Sequence, residues 1–304
     1  MLCAKHKFMK NASSPPFISV VVPSFNQPAT INNCLQSLLN QSTGDNYEII
    51  IVDSSHQEYR EEIQKVCSQS QCIKLIQEEK QTFPGTARNI GIKASQGEIV
   101  ALIDADCEAS ANWLQNIAKN VTENIIVSGV ILNGTPKNVN GTISYLIEFN
   151  HFIPFNQTQK VSTVAATCNF AAYKTVFEKV GYFTDHRAFE DILFCKKFIQ
   201  LGGKVVLFND VIITHLNRTS LGHVINNQKL LGYHSAAVRK EFGMPPKLIF
   251  KFPLLAFLLF PYRFLSILSR LLKSGMLFRF ILYSPLIKYV LFYWCSGFYK
   301  GAKA

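Results

Sequence analysis

Three features of the sequence predict an α/β protein with a mostly parallel, Rossmann-like central sheet, helices on both faces, and a C-terminal apolar, basic helical tail. Short β-branched apolar runs alternate with helix-period stretches through residue 106. The distinctive polar groups fall where those apolar runs end, and open parallel sheets place ligands at the carboxyl ends of their strands. After residue 246 the composition changes: nine basic residues and no acid are spread through an apolar background.

Taken in order, Ser13-Ser14-Pro15-Pro16 closes a segment, 1–16, expected to be loosely ordered. Ile18 to Pro23 then predicts a buried strand stopped by proline, with a loop at Ser24-Phe25-Asn26-Gln27. Pro28 and Thr30 open a helix that carries Ile31, Cys34, Leu35, Leu38 and Leu39 at helical spacing. Tyr47 to Val52 is a strand ending at Asp53, residues 58–68 a helix, and Ile73 to Ile76 a third strand. A helix over Thr86 to Ala94 is separated by Gly97 from the strand that runs into Asp104-Ala105-Asp106.

Beyond this point the pattern predicts a helix over Ala111 to Asn120 and a strand over Ile125 to Leu132. Residues 133–160 place two Asn-Gly turns around the aromatic stretch Tyr145 to Phe155, a natural location for acceptor contacts or a lid. Val161 to Cys168 is expected to be a strand leading to Asn169, a candidate contact to acceptor or donor sugar. A helix over Tyr173 to Val180 follows and ends at Gly181. Glu190 and Asp191 begin an amphipathic helix, where acids suit the positive end of the dipole. A strand pair, Lys204 to Leu207 and Val211 to Thr214, delivers His215, and a helix over Thr219 to Phe242 is closed by Gly243.

The composition excludes several classes. A hydrophobic fraction of 48% and a charged fraction of 17% exclude a disordered chain. The net charge of +11 does not indicate nucleic acid, because the first 246 residues are nearly balanced and the excess sits in the tail, pointing to an anionic membrane surface. The eight cysteines form no Cys-x-x-Cys pair, which favours reduced thiols. With three lysines and no apolar run in the first ten residues, no secretory signal is expected, and the Asn120, Asn133 and Asn140 sequons are expected to be incidental. The absence of Gly-x-Gly-x-x-Gly and of a P-loop argues against a dinucleotide oxidoreductase or an NTPase.

Asp104 and Asp106 carry the chemistry. Two carboxylates leaving a strand suit a hard divalent cation, Mg²⁺ or Mn²⁺, which can hold a substrate diphosphate. Asp53 can accept a nucleobase N–H or form a local turn, and the Arg88 fork matches a diphosphate or sits at the start of a helix.

Four stretches in this order, Ile18-Ser-Val-Val-Val-Pro-Ser-Phe-Asn26, Glu48-Ile-Ile-Ile-Val-Asp-Ser-Ser55, Gly85-Thr-Ala-Arg-Asn-Ile-Gly91 and Ala101-Leu-Ile-Asp-Ala-Asp106, resemble the donor-binding half of the family 2 glycosyltransferases, which have the GT-A fold. The resemblance covers about residues 17–240. It implies an inverting transfer of sugar from a nucleotide-diphosphate donor, UDP-linked, to a hydroxyl acceptor. By that resemblance Pro23, Phe25, Asp53, Arg88 and Asp104 would bind the nucleotide, with Asp53 on the base, Arg88 near base or diphosphate and Asp104 on the ribose. Asp106 and His215 would ligate Mn²⁺ or Mg²⁺, Asp191 would be the general base, and Glu190 would orient acceptor or donor sugar.

The expected organisation is a glycosyltransferase domain over 17–246, with a nucleotide half (17–106) and an acceptor half (107–246), followed by a membrane-associating tail over 247–304. The longest charge-free runs of the tail, Phe252 to Tyr262 and Tyr289 to Tyr299, have 11 residues each, short of a spanning helix. Arg263, Ser266, Arg270 and Lys273 share one helical face, so a helix lying in the interface with its basic face toward lipid phosphates is expected. A spanning helix over Met276 to Tyr299 is the alternative. Docking of this kind implies the cytoplasmic face of a membrane and a lipid-linked or envelope glycan acceptor. A non-catalytic nucleotide-sugar scaffold and a nucleotidyltransferase are the competing functions.

Overall fold

The computed structural model describes residues 17–272 and 274–304; the segment 1–16 and Lys273 lie outside the described residues. The first half alternates strand and helix as expected: β1 (Ile18–Ser24), α1 (Pro28–Leu39), β2 (Tyr47–Asp53), α2 (Gln57–Cys67), β3 (Ile73–Gln77), α3 (Pro84–Ala94) and β4 (Ile99–Leu102). Then come β5 (Cys107–Ala109), α4 (Trp113–Asn120), β6 (Ile125–Asn133), α5 (Val139–Glu148), β7 (Gln159–Ser162), β8 (Phe170–Tyr173), α6 (Lys174–Val180), α7 (Glu190–Gln200) and β9 (Lys204–His215). The chain ends in α8 (Leu221–Glu241), α9 (Lys247–Lys251), α10 (Leu259–Leu271), α11 (Leu277–Leu282) and α12 (Ser284–Lys303).

The strands form one sheet in the order β3-β2-β1-β4-β8-β6-β9-β5, with β7 also paired to β9. It is parallel across β3-β2-β1-β4. Past β4 it is mixed, because β8 runs antiparallel to both β4 and β6, and β5 and β7 run antiparallel to β9. Alternate side chains of β1 show why helices must cover both faces: Val20 and Val22 join Ile31, Leu35 and Leu38 of α1 in one core, whereas Val21 joins Ala87 and Ile92 of α3 in the other. Period-two burial with apolar residues on both sides leaves no face for water.

Three expected elements are differently built. The expected strand Val161 to Cys168 is instead β7, a turn in which the Ser162 hydroxyl donates to the Val164 carbonyl and accepts from its N–H, and a 3-10 turn over Thr167–Asn169. The expected pair of strands before His215 is the single strand β9. Asn209 and Asp210, which resemble a turn, sit in a bulge where the register against β6 shifts beside Gly129. Their polar groups are used there: Asn209 Nδ2 donates to the Phe155 carbonyl at 2.9 Å and the Asp210 carbonyl accepts from Asn116 Nδ2 at 2.6 Å. The segment around Tyr145 opens as a helix, α5, with the Asn138 side chain accepting the Gly141 N–H at 2.9 Å as its cap.

The tail packs onto α8 through α12. A Cβ on Gly297 would lie 2.0 Å from the Lys229 carbonyl oxygen, and one on Gly232 would lie 2.0 Å from that of Trp294, so the two helix backbones touch. α10 turns Ile267 and Leu271, not its arginines, into the core. Arg263 stacks 3.9 Å over the Trp294 ring and Arg270 Nη1 donates to Asn150 Oδ1 at 2.7 Å. Both arginines are thus tied to the protein at the rim of that face, with Arg270 still exposed, as are Leu258 just before α10, Tyr262 and Leu265. The stretch Pro253–Leu271 is long and apolar enough to cross a membrane by length and composition, and 17% of it is buried. A spanning helix over Met276 to Tyr299 does not form; the chain breaks between α11 and α12 at Tyr283, with Pro285 in the first turn of α12.

Gly297→Ala should therefore destabilise the protein by about 1–3 kcal/mol, because the steric cost of parting two backbones exceeds the roughly 1 kcal/mol that alanine gains in helix propensity. A thermal unfolding curve that is unchanged or shifted upward would show that the helices are not held this close.

Candidate active site

Five chain segments meet at one end of the sheet: the end of β1, the end of β2, the turn between β4 and β5, the first turn of α7, and the end of β9. They border a cleft of about 400 Å³. Pro23, Phe25, Arg88, Asp104, Asp106, Asp191 and His215 line it, while Asp53, Glu190 and Asn169 do not.

His215 arrives by strand pairing. Cys107 of β5 sits opposite His215 of β9, so the residue before Cys107, Asp106, meets the imidazole. His215 Nε2 lies 3.6 Å from Asp106 Oδ1. The bulge in β9 needs a residue without a side chain across from it, since a Cβ on Gly129 would lie 1.8 Å from the Val211 carbonyl oxygen. The His215 ring rests 4.5 Å from that of Phe149, and its Nδ1 is buried without a hydrogen-bond partner.

Asp106, Cys107 and His215 bring a carboxylate oxygen, a sulfur and a ring nitrogen within 4.8 Å of one another. Burial, and then the neighbouring Cys168, push the Cys107 thiol far above its ordinary range, so it stays neutral and is a poor ligand. That leaves a carboxylate and an imidazole, a hard and a borderline donor, which fit Mn²⁺ or Mg²⁺ better than a soft metal. Nε2 is the His215 nitrogen turned toward Asp106, so it is the one placed to share an ion with that carboxylate. Burial also raises the Asp106 carboxyl, with His215 opposing and Asp104 adding to the rise.

Arg88 is the centre of the polar network. Its Nη2 donates to Asp104 Oδ1 at 2.6 Å and its Nη1 to Glu190 Oε1 at 3.0 Å, and its side chain is 3% exposed. Burial opposes its charge, but Asp104 and Glu190 outweigh it and hold its pKa above the usual arginine value. Two expected roles change as a result. The guanidinium does not extend freely toward base or diphosphate, because its fork is committed to two carboxylates. Glu190 does not face a sugar either; it turns inward to anchor Arg88. Its carboxyl is pushed up to about 7, first by burial and then by Asp191, with Arg88 pulling the other way.

Asp191 faces the cleft instead. Its Oδ1 accepts the Ile192 N–H at 2.7 Å, leaving Oδ2 open. Burial raises its carboxyl, with that N–H and Arg88 opposing. Phe189, just before the pair, has φ of 73°, a left-handed conformation costly for an aromatic residue and of the kind that accumulates at functional sites.

Asp53 lies fully buried behind the cleft wall. Ser55 Oγ donates to its Oδ1 at 2.6 Å, and its Oδ2 has no partner, so it can take one more donor. Asn169 is corrected outright as a sugar contact. Its Nδ2 donates to the Val130 and Val211 carbonyls and its Oδ1 accepts from the Trp113 indole at 2.9 Å, so it is a fully used, buried bracket beside the β9 bulge.

Other cleft residues carry no local signal in the sequence. Arg187, Arg218 and His234 line the cleft and bring donors to it. Asn227, Leu230, Leu231 and His234 follow helical spacing, but they mix polar and apolar types, so periodicity alone does not reveal that α8 crosses the cleft. Arg218 also pairs with Glu148 at 3.5 Å.

Residues 19–181 match the family model described as Glycosyl transferase family 2. Glycosyltransferase AglE of Haloferax volcanii is 28% identical over 227 residues, covering 72% of this chain and 73% of that protein. Glycosyltransferase GlyG of Streptococcus pneumoniae is 25% identical over 218 residues, covering 66% and 71%. Among solved structures, the mannosyltransferase PcManGT from Pyrobaculum calidifontis, in complex with GDP-Man and Mn²⁺, superposes with a TM-score of 0.60 at 18% identity, covering 94% of this chain and 88% of that one. GalNAc-T7 with UDP, GalNAc and Mn²⁺ gives 0.54 at 17% identity, covering 77% and 52%. The shared architecture is the GT-A fold that the sequence motifs imply.

Arg88→Met should destabilise the fold by about 3–5 kcal/mol, because it leaves two partly or fully buried carboxylates unpaired. Denaturant unfolding checks this; a loss below about 1 kcal/mol would show that the network contributes little.

Proposed function

The chain belongs to glycosyl transferase family 2, and on that premise we propose that it moves a sugar from a nucleoside-diphosphate donor to an acceptor hydroxyl with inversion at the anomeric carbon. The observation that carries this is the arrangement of Asp104, Asp106, Asp191 and His215 around one cleft, with Arg88 fixing the separation of the first and the α7 terminus. The two similar structures hold a nucleoside diphosphate or its sugar together with Mn²⁺, which agrees with a donor and a cation in this cleft.

Each residue has a task that follows from its surroundings. The unpaired Oδ2 of Asp53 would accept a base ring N–H, which both uracil and guanine offer, so a UDP-sugar is the first donor to test. Asp104, held by Arg88, keeps its second oxygen for the ribose. Asp106 and His215 would hold Mn²⁺ or Mg²⁺, whose charge offsets that of a departing diphosphate. Arg218 adds a cation on the same side. Asp191 would take the acceptor proton through its open oxygen as the hydroxyl attacks the sugar carbon from the face opposite the leaving group.

Residues 17–246 would form the catalytic unit. The exposed apolar side of the tail would rest on the cytoplasmic face of a membrane, suiting a lipid-linked or envelope glycan acceptor.

Asp106→Ala and His215→Ala should abolish the Mn²⁺-dependent thermal stabilisation given by nucleotide sugars, worth about 2.7 kcal/mol at a hundredfold excess over Kd. Asp191→Asn should keep that stabilisation and slow transfer by about 10²–10⁴-fold. Full turnover in Asp191→Asn would remove it as the base, and metal-independent donor binding would remove the cation. Burial raises the Asp191 carboxyl, so transfer should fall with an acid limb displaced upward from the ordinary carboxylate range, as the base takes up a proton. A pH–rate profile without this acid limb would contradict the assignment.

A further inference from the structure

A second cavity of about 430 Å³, sharing no lining residue with the catalytic cleft, lies between the chain after α5 and the end of α10. His151, Lys160 and Arg270 line it with the amides of Asn150, Asn156 and Gln157, and no acid is among its lining residues. Lys160 Nζ lies 4.3 Å over the Phe155 ring and 3.4 Å from the His151 carbonyl, and Arg270 is held by Asn150. None of these contacts offsets either full charge with a carboxylate.

The surroundings register the uncompensated charge. Burial and then Arg270 lower the Lys160 ammonium, and burial, Arg270 and Lys160 together lower the His151 imidazole to about 4. Two cations with a neutral imidazole and several amide donors form a set matched to a phosphate, which accepts from every side.

The position selects the kind of phosphate. Arg270 belongs to α10, whose Tyr262 and Leu265 are exposed together with the flanking Leu258 and Leu272, and Phe278 and Ile281 of α11 are exposed as well. An apolar helix face beside a cationic cavity is the arrangement that one amphiphilic molecule satisfies at both ends. We infer that the cavity lined by His151, Lys160 and Arg270 holds the phosphate headgroup of a membrane lipid whose chains lie against the exposed face of α10 and α11.

This rests on the tail resting on a membrane, as proposed above, and it adds a defined headgroup site built jointly by the tail and the segment after α5. It also has a consequence for the cleft. Glu148 and Phe149 line the catalytic cleft while the next two residues, Asn150 and His151, line the lipid cavity, so one stretch of chain forms a wall of both. A lipid headgroup in the second cavity would sit beside the first.

The test uses the full chain and flotation with phosphatidylcholine vesicles that lack or contain phosphatidic acid. Wild type should bind the phosphatidic acid vesicles more tightly. Lys160→Gln with Arg270→Gln should lose about tenfold more of this binding than Lys247→Gln with Lys251→Gln, which removes equal charge from exposed tail positions outside the cavity. Lys160→Gln alone, which leaves the Arg270 to Asn150 bond intact, should show the same trend if the double variant folds poorly. Equal losses in the two double variants would overturn the site and leave only diffuse attraction. Wild type that ignores both vesicle types would overturn tail docking and the site together. Inorganic phosphate at matched ionic strength should compete only weakly; binding tight enough to displace the vesicles fully would assign the cavity to free phosphate and overturn the lipid. Hydrolysis of a nucleotide-sugar donor should be unchanged in every variant, because no cavity residue lines the cleft, so failure of the transferase assignment would be seen separately.

Discussion

A buried guanidinium cannot be left without partners, and Arg88 has two that lie 16 and 102 residues away in sequence. Asp104 comes from the turn after β4 and Glu190 from the first turn of α7, so the ion triad ties the parallel half of the sheet to the helix that carries the open carboxylate of Asp191. The buried Glu190 carboxylate is not stable there alone. Burial has raised Glu190 toward neutrality despite the cation beside it, so the arrangement depends on all three groups remaining in place.

The second constraint is the course of β9. A strand of ordinary length could serve β6 or β5, but twelve residues with a bulge serve both and β7 as well. The bulge is possible because Gly129 clears the Val211 carbonyl and because Asn169 supplies donors to the displaced carbonyls. His215 thus reaches Asp106 through sheet pairing rather than a flexible loop, as the proposed ligand pair would require. The buried, fully bonded Asn169 serves this arrangement and has no capacity left for a sugar.

The tail is part of the same body. Close contact between α8 and α12 fixes the helix whose Asn227, Leu230 and His234 border the cleft, so the C-terminal residues support the site without entering it. Trp294 and Asn150 hold the two arginines of α10 against the domain while Ile267 and Leu271 fill the core, and Tyr262 and Leu265 are left outside. Charge alone suggested arginines free of the domain, since a free amphipathic helix turns its cations toward phosphates. A helix packed on a domain satisfies its cations against that domain first.

By itself the sequence determined the parallel units β1 to β4, the helices that cover them, the polar groups at the strand ends and the family resemblance. Each depends on near neighbours: side-chain periodicity, strand propensity and capping act over a few residues. It also indicated Asp104, Asp106, Asp191 and His215 as the groups that meet at the cleft. Tertiary structure alone decided which of two adjacent acids faces the cleft, that Arg88 is spent on carboxylates, that Asn169 is a bracket, and that a polar Asn209-Asp210 pair lies within a strand. It also decided which face of α10 meets the protein. These outcomes turn on which distant group satisfies a buried donor or acceptor, and a linear pattern does not encode that distance.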